Sequence, residues 1–310
     1  MSGRLKLPPE RDFGFYQRRK HDKWRAVAPP EPALEGPVAD SHAHVHMLSD
    51  PAHEFARAAA NGVDFICEVT DPSEDGKRPF DELDAWLAGS GVTTCIAVGV
   101  HPHNAKLFTP EVEAELVARL QDPRVAALGE IGLDYHYDLS PREAQRDVFR
   151  RQIKLAQQHS LPIALHLRGG EDPQVDNAHA EAFQILREEG ALGPRTLLHC
   201  CALPPDEIVP WIEADCYIAY GGALTFKNAD AAREGARLVP AERLMLETDS
   251  PYMTPEPMRG AACTPAHVIF TAAALAEVRG VEPGPARESF LAQLHENTLN
   301  FYHVTAHGLT

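Results

Sequence analysis

The chain has 310 residues, 44% of them hydrophobic and 24% charged, which is enough for one large α/β domain or two medium ones. It has no apolar run of about 18 residues and no apolar segment after its basic N-terminal residues, which argues against a transmembrane helix and a secretory signal. Its net charge of −16 argues against broad electrostatic binding of nucleic acid, but does not exclude a nuclease that recruits divalent cations.

The first 37 residues differ in composition from the rest of the chain. Residues 1–25 hold eight Lys or Arg against three acidic residues, a net of +5, so the remainder carries −21. Four prolines between residues 29 and 37 predict an extended linker. We therefore predict a basic, Pro-rich extension at 1–37 and a single domain at 38–310. The extension is either a tail or arm packed on the outside, or an arm that steers the substrate.

Strand-like apolar runs alternate with amphipathic segments after residue 37. Strands are predicted at 38–46, 63–70, 93–101, 125–134, 161–168, 195–201, 216–222 and 243–250. Helices are predicted at 51–61, 78–89, 110–121, 140–159, 176–190, 204–214, 228–238, 265–278 and 285–301. Eight strands, each followed by a helix, predict an α/β fold of the (β/α)8 TIM-barrel type, with a doubly wound sheet as the alternative.

The six cysteines form no Cys-x-x-Cys pair, and most of them fall inside predicted strands. A cysteine in that setting usually behaves as a small buried hydrophobe. The pattern predicts a cytoplasmic protein without disulfides.

Several predicted strands end in a residue of a type that binds metals. These residues are His42, His44, Glu130, His166, His199 and Asp249. A polar group at the tip of a buried strand is costly unless it has a function or a partner. Because active sites of TIM barrels lie at the carboxyl ends of the strands, the pattern predicts one shared metal site.

The number of candidate ligands indicates how many ions they bind. Five or six ligands are too many for one catalytic ion with an open position, and suit two ions about 4 Å apart. Glu130 is the natural bridge because it stands in the middle of the strand order. Imidazole with carboxylate favours zinc, manganese, iron or cobalt. Each residue taken alone also has a purely structural explanation. His166 and His199 could be buried core histidines, Glu130 could pair with an arginine, and Asp249 could cap the following turn.

At this point the sequence resembles the TatD family of metal-dependent hydrolases, within the amidohydrolase superfamily. Six blocks carry the resemblance and occur in family order over roughly residues 38–302. They are Asp40-Ser41-His42-Ala43-His44, Gly99-Val100-His101-Pro102-His103, Gly129-Glu130-Ile131-Gly132-Leu133-Asp134, Leu161 to Arg168, Leu197-Leu198-His199-Cys200, and Leu246 to Tyr252. One block alone would be a weak signal, whereas six in order are specific.

The resemblance implies a barrel with two divalent ions, zinc, manganese or magnesium, that hydrolyses phosphodiester bonds of DNA, often as a 3′-to-5′ exonuclease. It assigns one ion to His42, His44, Glu130 and Asp249. It assigns the other ion to Glu130, His166 and His199. Asp249 and Glu130 are the predicted catalytic residues, and Asp249 also suits the transfer of a proton from the nucleophilic water.

The resemblance also implies positions that face the substrate. These are the turn that contains His103, and Arg168, whose fork of donors suits a phosphate and whose alternative is a structural ion pair. Three departures from the family put the choice of substrate in question: His46 replaces an acidic residue, 262–265 replaces an Asn-Glu-Pro run, and the loop 169–173 is irregular. His46 is expected to support the ligands or to lie at the surface.

The sequence thus predicts a metal-dependent hydrolase of phosphodiester bonds, with DNA or another phosphodiester as substrate and no membrane or obligate protein partner. A second hypothesis keeps the ions and changes the substrate to small esters, lactones or amides, which suits the acidic chain. A third is a non-enzymatic scaffold, whose structural metal sites would be coordinatively closed.

Overall fold

The computed structural model describes residues 13–172, 175–305 and 308–309. Residues 1–12 of the predicted extension and Pro173 of the irregular loop lie outside the described residues. Ahead of the main sheet, β1 (Phe15–Arg18) and β2 (Trp24–Val27) pair antiparallel as a short hairpin. The sequence indicates no strand before residue 38, so this hairpin was not predicted; it lies ahead of the linker predicted at residues 29–37.

Eight parallel strands follow and pair in sequence order. They are β3 (Val38–Ala43), β4 (Val63–Thr70), β5 (Thr93–Val98), β6 (Val125–Asp134), β7 (Ile163–Arg168), β8 (Thr196–Leu198), β9 (Tyr217–Tyr220) and β10 (Leu244–Leu246). The ring closes where Asp249 N donates to His42 O at 2.9 Å and His44 N donates to Ser250 O at 2.8 Å. Sequential pairing without a reversal confirms the barrel and excludes the doubly wound sheet.

Nine helices surround or close this barrel within the described residues. They are α1 (Pro51–Ala60), α2 (Arg78–Leu87), α3 (Pro110–Arg119), α4 (Arg142–Gln158), α5 (Ala178–Glu188), α6 (Pro205–Glu213), α7 (Asp230–Leu238), α8 (Val268–Val278) and α9 (Pro285–Phe301). A last antiparallel pair joins β11 (Val304–Thr305) and β12 (Gly308–Leu309). No helix in this part of the chain combines the length and apolar character that crossing a bilayer requires.

The end of α9 closes the amino end of the barrel. The Tyr302 hydroxyl donates to Ser41 O at 2.7 Å, and the Phe301 ring lies 5.3 Å from that of Tyr217. Small buried residues such as Cys67 and Cys95 leave room for these rings inside the barrel. All six cysteines are free thiols, in agreement with the predicted absence of disulfides. With the amino end filled, the carboxyl end is the side on which a site can open.

The described part of the N-terminal extension lies against the barrel. Phe15 is buried with its ring 4.9 Å from that of Phe270, and Arg57 donates to Gly14 O at 2.6 Å. Arg287 donates to the carbonyls of residues 32 and 33. These contacts fit an arm packed on the outside. A steering role for the arm, and the division of the chain at residue 37, stay predictions.

The arm packs against the buried His267, and this histidine is expected to make the stability of the fold sensitive to acid. Its ring lies 5.4 Å from that of Phe15, and its Nδ1 accepts from Thr264 N at 3.0 Å. Burial, assisted by Arg57, lowers the pKa of His267 to about 3 from an ordinary 6.5. Between these values the unfolded chain binds a proton that the folded chain does not. Stability therefore falls as the pH drops below about 6.5, by about 1.4 kcal/mol per pH unit from this group.

The measurement is urea unfolding of the wild type and of His267→Gln between pH 7 and pH 4. Glutamine keeps an acceptor for the Thr264 amide and takes up no proton. We expect the variant to lose part of the pH slope of the unfolding free energy. Identical slopes in the two proteins would contradict this role for His267.

Candidate metal centre

The seam between β3 and β10 brings the first group of candidate ligands together. His44 donates its Nδ1 proton to Val69 O at 3.0 Å, so Nε2 is the nitrogen that faces the centre. That Nε2 atom lies 3.4 Å from Glu130 Oε1 and 3.6 Å from Asp249 Oδ1. The Nε2 atom of His42 lies 3.8 Å from the same Glu130 oxygen. Two imidazoles and two carboxylates therefore converge at this edge.

The second group surrounds the other oxygen of Glu130. Its Oε2 atom lies 3.1 Å from His166 Nδ1 and 3.1 Å from His199 Nε2, and the two nitrogens are 3.5 Å apart. His166 donates through Nε2 to Asp134 Oδ2 at 3.2 Å, so Nδ1 is the nitrogen that faces Glu130. An orienting carboxylate behind a histidine is a common arrangement at metal sites.

The two groups fit a pair of divalent ions. Ligands of a tetrahedral zinc ion at about 2.0–2.1 Å are about 3.3–3.4 Å from one another, and the separations here run from 3.1 to 3.8 Å. Both ring nitrogens of His42 are buried without a hydrogen-bond partner among the described residues. A buried nitrogen in that state costs free energy, which an ion bound to it would recover.

The electrostatics of the centre favour a cation. Burial raises the pKa of Glu130, but His101, His166 and His199 outweigh this effect and hold that pKa well below its usual range. Burial lowers the pKa of His44, but Asp249 and Glu130 outweigh this effect and raise that pKa well above its usual range. A metal ion that binds His44 displaces the proton held by its imidazole, so metal binding strengthens as the pH rises.

Glycines let the backbone of β6 approach β7 beside the centre. A Cβ on Gly132, where φ is +148°, would lie 2.0 Å from His166 O. A Cβ on Gly129 would lie 2.7 Å from that of Ala164. Close contact of these strands places Glu130 beside His166. Asp249 itself has a φ of 55°, a left-handed conformation that is uncommon outside glycine and recurs at functional sites.

His103 and Arg168 do not contact Glu130; they contact residues next to the two ligand groups. His103 Nε2 is 2.9 Å from Asp134 Oδ2, behind His166. The Arg168 guanidinium lies 4.7 Å from the centroid of the Tyr137 ring. No ion pair joins Arg168 to a carboxylate among the described residues, so the alternative of a structural ion pair finds no support. Glu130 likewise has histidines around it and no arginine partner in that range.

His101 lies nearer to the centre than His103 does. Its Nδ1 accepts from His103 N at 3.1 Å, so its proton is on Nε2, which lies 4.0 Å from Glu130 Oε2. Burial and the neighbouring His166 keep the pKa of His101 well below the usual value, so the ring is a neutral donor. The sequence predicts His103 as the substrate-facing residue of this turn, whereas the structure brings His101 nearer to Glu130.

Two further carboxylates support the ligands and were missed from sequence. Asp134 orients His166, and the buried Glu247 lies 3.6 Å from His199 Nδ1. For Asp134 a signal was available, because alternate residues of a strand share a face and Asp134 is four residues after Glu130. For Glu247 the same signal was available, because it stands two residues before Asp249 in the predicted strand 243–250, although the structure ends β10 before both residues.

His46 lies outside both ligand groups. Its Nδ1 donates to Glu68 Oε1 at 2.5 Å, and its Nε2 lies 3.1 Å from Asp75 Oδ1. Despite burial, the two carboxylates raise the pKa of His46 to about 9. Glu68 also accepts from the backbone N–H of Val45 at 3.0 Å, so the turn after His44 is fastened to β4. The histidine that departs from the family pattern therefore supports this turn as a buried cation.

The family model described as TatD related DNase matches residues 39–303. The chain belongs to the TatD family.

A metal-dependent hydrolase of Bacillus subtilis, YabD, is 37% identical over 77% of this chain and 90% of its own length. The crystal structure of YjjV, a TatD homologue from Escherichia coli, superposes with a TM-score of 0.75 at 26% identity, covering 86% of this chain and 98% of that one. The human protein TATDN2, named a 3′-5′ RNA nuclease, is 27% identical over 88% of this chain and 36% of its own. The TatD-family protein is thus a metal-dependent hydrolase with a TIM-barrel fold.

Proposed function

We propose that this hydrolase cleaves phosphodiester bonds of DNA from the 3′ end, with two divalent ions in its active site. One observation carries the proposal. Glu130 directs one oxygen into each of two histidine groups at the open end of the barrel. The description of the family model as a DNase and the nuclease name of the human relative support the choice of phosphodiester.

The ligand sets follow the two oxygens of Glu130. One ion would be held by His42, His44 and Asp249 together with Glu130, and the other by His166 and His199 together with Glu130. Divalent zinc, manganese or magnesium at these positions would supply Lewis-acid activation of water and neutralise charge on the phosphate.

The protein's own groups then hold and move protons. Although burial opposes it, His44 and the other histidines lower the pKa of Asp249, so its carboxylate is ionised at neutral pH and accepts the proton of the attacking water. His101 presents its Nε2–H toward the centre and donates to a phosphate oxygen. Arg168, which lacks an acidic partner in the described range, is available to a second phosphate of the strand.

The test is a comparison of substrates under controlled metal loading. Protein loaded with zinc, manganese or magnesium is given 5′-labelled single-stranded DNA, the same sequence as RNA, and a panel of small esters, lactones and amides. We expect stepwise shortening of the DNA from its 3′ end, lost with chelator and regained when metal is returned.

The panel addresses the hypothesis of a small substrate, which the net charge of −16 favours. Faster turnover of a lactone, amide or small ester than of DNA, by comparison of kcat/KM, would contradict the proposed function. Cleavage of DNA that persists unchanged in chelator would contradict the metal centre.

A further inference from the structure

Two half-exposed tyrosines stand on opposite sides of the barrel mouth. Tyr137 follows β6 and Tyr252 follows β10, and their side chains are 52% and 46% exposed. The sheet order runs from β3 to β10 and the ring closes between these two strands. β6 and β10 are therefore four strands apart in a ring of eight, so the two tyrosines flank the metal centre.

Each tyrosine is tied to one side of the centre. The Tyr252 ring lies 6.4 Å from that of His44, and its backbone N–H donates to Asp249 O at 2.8 Å. Tyr137 N donates to Asp134 Oδ1 at 2.8 Å, and its ring lies 5.4 Å from that of His103. The first ring thus belongs to the side of the seam ligands, and the second belongs to the side of the other group.

Exposed aromatic rings beside an active site are suited to stacking on flat ligands. Nucleobases stack on aromatic side chains with little preference for sequence, because every base has a π face. Stacking does not depend on a basic surface. A chain of net charge −16 can therefore use it to bind a polyanion.

We propose that Tyr137 and Tyr252 are stacking positions for the two bases on either side of the scissile phosphate. This inference rests on the proposed function. A phosphodiester at the centre has one nucleoside on each side, and two rings on opposite walls receive two bases that are splayed apart. Paired bases cannot separate in this way without unpairing, so the substrate class is single-stranded nucleic acid.

The test compares an intact single-stranded oligonucleotide with one that is abasic at the two nucleotides flanking the cleaved bond. The measured quantity is the ratio of kcat/KM for the intact strand to that for the abasic strand. At about ten-fold per stacked base, we expect a ratio of about 100 in the wild type, about 10 in Tyr137→Leu and in Tyr252→Leu, and near 1 in the double variant. The phenylalanine variants keep a ring and keep the wild-type ratio.

Leu238→Ala is the matched control, because Leu238 is 48% exposed at the end of α7 and outside the site. Its ratio is expected to equal that of the wild type. A wild-type ratio near 1, leucine variants with the wild-type ratio, or cleavage of duplex DNA as efficient as that of the single strand would each overturn the inference.

A binding measurement separates this inference from the proposed function. Fluorescence anisotropy of the metal-loaded protein with labelled intact and abasic strands gives their affinities without requiring cleavage. If the protein cleaves no oligonucleotide, the proposed function fails. Weaker binding of the abasic strand, abolished in the double leucine variant, then still supports stacking. Equal binding of the two strands by the wild type overturns it.

Discussion

Replacing Glu130 with glutamine is expected to remove both ions and to lower kcat/KM on a phosphodiester by about 10⁴-fold, equivalent to ~5.5 kcal/mol. The physical reason is that one carboxylate serves both groups, with Oε1 3.4 Å from His44 Nε2 and Oε2 3.1 Å from His199 Nε2. The amide has nearly the same shape but no charge, and its nitrogen is a poor ligand. The expected loss is therefore at least as large as that of any change at a single ion.

Metal content by mass spectrometry, beside turnover on the same sample, checks this prediction. The matched control is Glu234→Gln, which makes the same change on the exposed face of α7. The control should retain both ions and wild-type turnover. If Glu130→Gln binds two ions per chain and turns over normally, Glu130 is not a bridge.

Replacing Asp249 with asparagine is expected to lower kcat by about 10²- to 10⁴-fold, the range for loss of a positioned general base. The carboxylate lies 3.6 Å from His44 Nε2 and is held in the seam by its backbone hydrogen bond to His42 O. Asparagine leaves that backbone bond in place, so the fold should persist. The ion held by Glu130, His166 and His199 should remain, because Asp249 does not border that group.

Metal content of this variant separates the two roles of Asp249. A variant that keeps two ions while kcat falls assigns Asp249 to proton transfer, whereas a variant with one ion assigns it to the seam ion as a ligand. A folded Asp249→Asn protein with wild-type kcat would refute both roles. Asp215→Asn is a suitable control, because this exposed carboxylate pairs with Arg243 far from the centre.

The sequence predicted the strands best where burial is continuous. The predicted strands 63–70 and 125–134 match β4 and β6 residue for residue, because both are apolar over most of their length. The predicted strand 243–250 proved too long. The structure ends β10 at Leu246, since the chain then leaves the sheet and carries Asp249 to the seam. The hairpin of β1 and β2 was missed because its residues are mixed in polarity and it depends on the distant contact of Phe15 with α8.

The site could be predicted as a set of ligands but not as a hydrogen-bonded arrangement. Residue type and position at strand ends identified the histidines and carboxylates that converge on Glu130. The support of His166 by Asp134, and the donor that His101 directs to the centre, depend on tautomers and on distances between separate strands. Such relations are set by the closed barrel; strand alternation in the sequence indicates that Asp134 shares a face with Glu130, but not that it orients His166.

Anomalous diffraction from crystals grown with manganese or zinc tests the two-ion centre most directly. We expect two peaks per chain on either side of Glu130, one among His42, His44 and Asp249 and the other between His166 and His199. A single peak, or peaks confined to the neighbouring group of His101, His103 and His166 that also has metal-binding spacing, would contradict it.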